Sequence, residues 1–329
     1  MANIQEVAKK AGVSVATVSR VMNGNTSVTS ATRLKVEHAI EELKYEPSVL
    51  GRNLRNSESR LLLVLIPTIS NPFYTEIING IEETAIQNGY NILLCETDSS
   101  VQRENIYLNM VKNKVVDGVI TMDPAINVNK LNDLARQYPV IQCSEYEEGG
   151  VIPYVSINNE LAAYHAMKHL IKIGHERIAL INSDEKFLYA RQRRQGYNRA
   201  LKEYQLPIDE DLIYHTDQLD FDYGIQAMRH LLQLEKKPTA VFAVSDTLAI
   251  GALKELNESG FQVPEDIAVV GFDKISFTNM TNPTLTTISQ PMYKMGSTAA
   301  MMLINNIMGK KVESILLDHE LVIRDSTLG

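Results

Sequence analysis

The sequence predicts an α/β protein with a small helical head, and three observations predict it. Residues 1–45 hold three short amphipathic segments at helical spacing, the first two joined by a tight glycine-containing turn, which is a helix-turn-helix pattern. After residue 60, apolar runs of strand length alternate with helix-length amphipathic stretches, the signature of βαβ units. The runs are continuous rather than alternating in polarity, as in parallel sheets covered on both faces. The 60–329 stretch exceeds one comfortable core, so two similar α/β lobes are expected.

The elements follow in order. In "IQEVAKKA", Ile4, Val7, Ala8 and Ala11 share one helical face, and Gly12 ends the pattern. Ser14 can cap a second helix, "VATVSRVMNG", which runs out at Asn23 and Gly24. Thr29 or Ser30 caps a third, "ATRLKVEHAIEELKY", with Leu34, Ile40 and Leu43 turned inward. Next comes "PSVLGRNLRNSES", polar apart from Val49, Leu50 and Leu54. A helix of about eight residues lies below the ~12–15 needed for even marginal stability in water, so the segment is a linker or a helix that needs a partner. The strand runs are "LLLVLIP", "YNILLCET", "GVITM", "PVIQCS", "YVSI", "RIALINS", "LIYHT", "AVFAVSD" and "IAVVGFD". "VSINNE" and "TTISQPM" read as crossings between lobes. The expected domains are 1–46, a hinge at 47–59, and 60–329. Lobe 1 then takes about 60–158 and 291–319, and lobe 2 about 159–290 and 320–329.

Hydrophobic content of 44% and charged content of 22% are those of an ordinary globular chain. No apolar run approaches the ~18 residues of a membrane span, and the N-terminus has no apolar export core, so a cytoplasmic protein without membrane partners is expected. Cys95 and Cys143 sit inside apolar runs, as buried free thiols do. Residues 1–60 carry nine basic and six acidic side chains, which resolves the net −8 into +3 on the head and −11 on the body. A basic head on an acidic body suits a polyanion partner for the head alone. There is no metal-ligand spacing and no glycine-rich phosphate loop. His165, His169 and His175 are spread along one helix and its C-terminal turn. No catalytic residue, metal or cofactor is expected.

The second helix presents small and polar residues, which suits the major groove. Arg20 can pair with a guanine edge, and Thr17 and Ser19 can hold phosphates. Val15 and Ala16 can meet a thymine methyl or leave room for the backbone. Ser14, Asn23 and Thr29 border this face. The bland alternative is a small bundle with a solvated face.

These residues carry a resemblance. "NIQEVAKKAGVSVATVSRVMNG" through "EPSVLGRNLRNSESRLL" is similar to the N-terminal signature of the LacI/GalR family of bacterial repressors. "VDGVI", "GHERIALI", "RRQGYNRAL", "KPTAVFAVSDTLAIGAL", "VPEDIAVVGFD", "NPTLTTISQPMYKMG" and "ELVIRDST" extend it along almost the whole chain. Within the family, the hinge-to-lobe stretch and "ELVIRDST" are most similar to the cytidine-responsive subgroup. The resemblance implies two Rossmann-like lobes of the periplasmic-binding-protein type and a dimer on a pseudo-palindromic operator. Val15, Ala16 and Arg20 fall on base-reading positions. The family's hinge forms a helix in the minor groove; Leu54 falls on its wedging leucine, and Arg52, Arg55 and Arg60 can approach phosphates. Gly51 stands where the family often has alanine, which lowers helix bias by roughly 0.8–1 kcal/mol.

The same resemblance implies a small-molecule effector between the lobes. In "NPFYTEI", Phe73 and Tyr74 can stack on a base or a sugar, one of them with a competing place in the core. Arg193 matches the family arginine that contacts effector, and Asp273 the aspartate that accepts its hydroxyls. Asp246 caps the following helix, contacts ligand, or does both. Leu219 falls where relatives often place an aromatic. Ser144 and Glu145 follow the fourth strand. A nucleoside is expected, with a free sugar or phosphosugar as the other choices, and release from DNA rather than corepression. Lys294 replaces an acidic residue, and Met301 an arginine, of relatives that bind a phosphorylated phosphocarrier protein, which argues against that corepressor. The dimer surface is expected on "YTEIINGIEETA" and "TLAIGALKELNES". The other functional choices are a two-lobed solute-binding protein without a regulatory role, or a regulator activated by a corepressor.

Overall fold

Asn3 starts the first helix, α1 (Ile4–Ala11), through a reciprocal cap: the Glu6 N–H donates to Asn3 Oδ1 at 3.0 Å and the Asn3 N–H to Glu6 Oε2 at 2.9 Å. Gly12 ends it with φ +64°, a left-handed cap that glycine adopts freely. The Thr17 N–H donates to Ser14 Oγ at 3.2 Å at the start of α2 (Val15–Met22). Thr29 caps α3 (Ser30–Glu42). Val7, Ala8, Ala11, Val18, Val21, Val36 and Ala39 close a core among the three helices. Leu34 departs from expectation, standing 66% exposed. The inward stripe of α3 runs through Val36, Ala39, Ile40 and Leu43. Leu34 lies two residues before Val36, roughly 200° around the helix.

The computed structural model describes residues 2–22, 25, 27–45, 58–122 and 128–328. They divide into two compact units, Met1–Ser59 and Arg60–Gly329. Asn23, Leu54, Arg55 and the expected hinge helix lie outside the described residues.

The second unit holds two six-stranded sheets. The first contains β1 (Leu61–Ile66), β2 (Asn91–Glu96), β3 (Gly118–Thr121), β4 (Val140–Cys143), β5 (Tyr154–Ile157) and β11 (Ile315–Leu317), in the order β11-β5-β4-β3-β1-β2. The second contains β6 (Ile178–Ser183), β7 (Ile213–Thr216), β8 (Ala240–Ala243), β9 (Ala268–Asp273), β10 (Thr286–Ser289) and β12 (Glu320–Val322), in the order β12-β10-β9-β8-β6-β7. All neighbours are parallel except β10 and β12.

Strand β1 shows why continuous apolar runs predict this fold. Leu62, Val64 and Ile66 enter one core, with Ile77 and Ile81 of α4 (Phe73–Gln87) and Met295 and Leu303 of α11 (Met292–Ile307). Leu63 and Leu65 enter another, with Leu108 and Val111 of α5 (Val101–Lys112) and Leu131 and Leu134 of α6 (Val128–Ala135). Successive side chains point to opposite faces and both faces are covered, so no position calls for a polar residue. In the second lobe, α7 (Asn159–Lys172), α8 (Leu188–Glu203), α9 (Phe221–Leu231) and α10 (Asp246–Glu258) cover β6 to β10 around Tyr197, Phe242 and Phe272. Glycines set the closest helix approaches. A Cβ on Gly296 would meet the Ile77 carbonyl oxygen at 1.9 Å, and one on Gly251 the Phe221 carbonyl oxygen at 2.1 Å.

The chain passes between the sheets after β5, after β10 and between β11 and β12. "TTISQPM" is thus a strand before it is a crossing. Threonines fill β10 because their hydroxyls find partners: Thr286 Oγ1 donates to the Arg324 carbonyl at 3.0 Å and Thr287 Oγ1 to Asp246 Oδ1 at 2.6 Å.

Candidate functional sites

On the head, Ser14, Val15, Ala16, Arg20 and Thr29 are exposed, while Thr17 and Ser19 are half-buried. Val18 and Val21 anchor the opposite face of α2 in the core. The helix therefore offers one rigid face of small side chains and one arginine. Arg33 steadies the following loop by donating to the Asn25 carbonyl at 2.9 Å.

In the body, a cavity of about 260 Å³ opens at the carboxyl ends of the strands of both sheets, the usual ligand position in wound α/β folds. The first lobe contributes Asn71, Phe73, Tyr74, Asp98, Ser144 and Glu145. The second contributes Lys186, Phe187, Tyr189, Arg193, Leu219 and Asp273, with Asp217 and Asp220 beside them. Phe73 and Tyr74 meet edge to face at 5.2 Å; both line the cavity, and Phe73 also packs in the core. Asp98, Ser99, Ser144 and Asp273 hold left-handed backbone at φ 54°, 46°, 69° and 117°. Such conformations cost about 1–3 kcal/mol each and gather where a site needs unusual geometry.

Arg193 organises the floor. Its Nε donates to Asn159 Oδ1 at 3.0 Å and its Nη1 to the Val244 carbonyl. The guanidinium lies 3.6 Å from the Phe272 ring centre, and Nη1 is 3.9 Å from Asp273 Oδ1. That same Asp273 oxygen accepts from Gln290 Nε2 at 2.7 Å. Burial pushes Asp273 up to about 7, with the Arg193 charge opposing. Burial lowers Arg193 from its ordinary value, and Asp273 partly restores it. Asn159 and Gln290 stand at the first and second crossings, so both charged groups are tied to the segments that join the lobes.

Asp246 corrects an expectation. It neither caps a helix nor lines the cavity. Ser245 caps α10, accepting the Leu248 N–H at 3.3 Å. The fully buried Asp246 carboxylate instead accepts from the Ile275 N–H at 2.8 Å and from Thr287, joining β9, β10 and α10. Burial, then the charge of Asp273, raise its pKa. Gly271 leaves room for it, since a Cβ there would lie 2.3 Å from Asp246 Oδ1.

The sequence did not single out Phe187, Tyr189, Asp98, Asp217 or Asp220. All follow the carboxyl ends of strands, in "SDEKFLY", "TDSS" and "TDQLD", and that placement was the available signal. Phe187 and Tyr189 stack at 5.6 Å. They supply in the second lobe the aromatic wall that Leu219 lacks. The histidines have structural partners: His165 with His319 at 3.0 Å, His169 with Thr327 at 2.9 Å, His175 with Thr239 at 3.1 Å. Among the described residues, no group of three His, Cys, Asp or Glu could hold a metal ion, and no helix is long and apolar enough to cross a membrane.

A small helical unit with an exposed face of small side chains and a two-sheet body with a cavity at its strand ends are the parts of a DNA-binding transcriptional regulator. The chain belongs to the LacI family. Residues 3–48 match the family model for bacterial regulatory proteins of the lacI family. Residues 59–325 match the model for periplasmic binding proteins and the sugar binding domain of the LacI family. The chain is 38% identical over 329 residues to the HTH-type transcriptional repressor CytR of Escherichia coli strain K12, covering 99% of this chain and 96% of that protein. It is 37% identical over 328 residues to catabolite control protein A of Priestia megaterium, covering 98% of each. The lac repressor dimer bound to operator and the anti-inducer ONPF superposes with a TM-score of 0.90 at 28% identity, covering 100% of this chain and 99% of that one.

Proposed function

We propose that this regulator is a cytoplasmic repressor that binds a pseudo-palindromic operator as a homodimer and leaves it when a nucleoside enters the inter-lobe cavity. The observation that carries the ligand class is the lining. Aromatic pairs from both lobes, Phe73 with Tyr74 and Phe187 with Tyr189, border a cavity whose floor carries Arg193 and Asp273. Rings favour a flat or apolar ligand face, and the charged floor favours hydroxyls.

The charge balance opposes a phosphosugar. Asp98, Glu145, Asp217, Asp220 and Asp273 line the cavity against Lys186 and Arg193. The N-terminus of α8, which favours anions, already holds the Glu145 carboxylate. A free sugar remains the second reading. The resemblance of the hinge-to-lobe stretch and "ELVIRDST" to the cytidine-responsive subgroup favours the nucleoside.

On the head, Ser14, Val15, Ala16, Thr17, Ser19, Arg20 and Thr29 form the base- and phosphate-contacting face. The exposed sides of α4 and α10 form the dimer surface. Met301 is 41% exposed and brings no charge to a phosphate, so a phosphocarrier corepressor is not part of this reading.

The test is a thermal-shift screen of nucleosides, sugars and phosphosugars, followed by operator titration with each hit. A nucleoside that raises the melting temperature and lowers operator affinity is the expected result. Stabilisation by phosphosugars alone, or a hit that tightens operator binding, overturns the reading.

A further inference from the structure

Helix α8 begins without a cap of its own: Phe187, at its N-cap position, makes no side-chain bond to the helix. Its first amides are met from the other lobe. The Glu145 carboxylate, just past β4, accepts the Leu188 N–H through Oε1 and the Tyr189 N–H through Oε2, the latter at 3.2 Å. Glu145 is only 8% exposed, and Leu188 is buried. A charged acceptor on helix N-terminal amides makes short, strong bonds, the more so away from water. One turn along, Gln192 Nε2 donates to Tyr146 Oη at 3.3 Å and to Glu148 Oε1 at 3.1 Å. Every one of these bonds joins lobe 1 to the first two turns of α8.

The same turns carry the ligand-facing groups of lobe 2. Phe187 and Tyr189 form its aromatic wall. Arg193 follows Tyr189 by one turn, its guanidinium 5.1 Å from the Tyr189 ring centre. The charges of Asp273 and Glu145 both favour its cationic form. A shift of the α8 N-terminus relative to lobe 1 would move wall and arginine together.

We infer that Glu145 is a lobe-spanning helix cap, a positioning residue that sets how closely the lobes approach and where the Phe187–Tyr189 wall stands. Its consequence for effector rests on the nucleoside reading above; its consequence for lobe approach does not. An ordinary N-cap comes from the residue beside the helix and stabilises that helix alone. This one comes from 43 residues away and holds only while the lobes are together.

The test uses the full chain with spin labels on unnatural amino acids at the exposed positions Gln137 and Lys237, one per lobe. Glu145→Gln and Glu145→Ala are expected to broaden the inter-label distance distribution and lengthen it, the alanine variant more. Nucleoside affinity should fall about tenfold or more, the scale of a lost charge-assisted bond. Phe187→Ala is expected to weaken nucleoside binding without moving the distances. If Glu145→Ala does not fold, Gln192→Ala should give a smaller shift of the same sign. An unchanged distribution in the folded variants overturns the proposal, whatever happens to affinity. A lengthened distribution in a protein that binds no nucleoside upholds the cap and sinks the effector reading.

Discussion

Each lobe places its first strand between its second and third: β2-β1-β3 in one sheet and β7-β6-β8 in the other. In both, a last strand from the C-terminal segment is added at the far edge. The windings match, yet the equipment differs. Lobe 1 brings Phe73, Tyr74 and a carboxylate that reaches out, Glu145. Lobe 2 brings a buried arginine, two buried aspartates and the helix end that receives Glu145. Strand order decides where a cavity opens. The residues at and just after each strand end decide what it holds, and these are free to diverge because connecting segments tolerate change that the packed strands do not.

The difference can be broken most severely at Arg193. Arg193→Met removes the cation of the buried floor and leaves Asp273 and Asn159 without it. Breaking a buried ion pair by removing one partner costs about 3–5 kcal/mol. Calorimetric melting should show a marked loss, and nucleoside titration a fall of about a hundredfold, the equivalent of two charge-assisted bonds. Unchanged binding would mean that the arginine only packs.

The glycine contacts test how alike the lobes are mechanically. Gly296→Val in lobe 1 and Gly251→Val in lobe 2 each force a Cβ onto a carbonyl oxygen of the facing helix. Each should lose roughly 1–3 kcal/mol in urea unfolding. A large loss in one lobe alone would show that the two helix pairs do not share this constraint.

The aromatic walls can then be compared directly. Phe73→Ala and Phe187→Ala should each lower nucleoside affinity about tenfold, the scale of one ring contact with its buried area. An effect confined to one would locate the base against that lobe.

The smallest effect is a pH slope. Burial raises Asp273 to about 7, so the native chain keeps a proton that the unfolded chain releases near the ordinary carboxylate value. The contribution of Asp273 to stability therefore falls as pH rises from about 4 to about 7. Asp273→Asn, neutral throughout, removes that slope. Relative to the unsubstituted chain, its melting temperature should improve between about pH 5 and pH 8. A constant gap would assign the proton elsewhere in the Arg193, Asp246 and Gln290 neighbourhood.

Much of the site was legible because it is local. Arg193, Asp273, Ser144, Leu219 and the Phe73–Tyr74 pair all line the cavity, since strand ends and helix starts can be read from apolar runs and their punctuation. Asp246 was misread for the same reason. A carboxylate one residue past a strand looks like a cap or a ligand group, and nothing local says that Thr287 and the Ile275 amide will claim it. Leu34 shows the limit for helices: an apolar residue near the inward stripe is not on it.

By itself, the sequence determined the helix-turn-helix head, the alternation that makes both sheets parallel but for the β10–β12 edge, and the positions where strands end. These follow from periodicity, caps and glycine, all properties of neighbours along the chain. Only the tertiary structure decided that Glu145 would cap a helix of the other lobe, that Phe187 and Tyr189 would replace the aromatic absent at Leu219, and that Asp246 would be interior. Each depends on partners far apart in sequence, whose meeting is fixed by how the lobes pack and cross and not by any local preference.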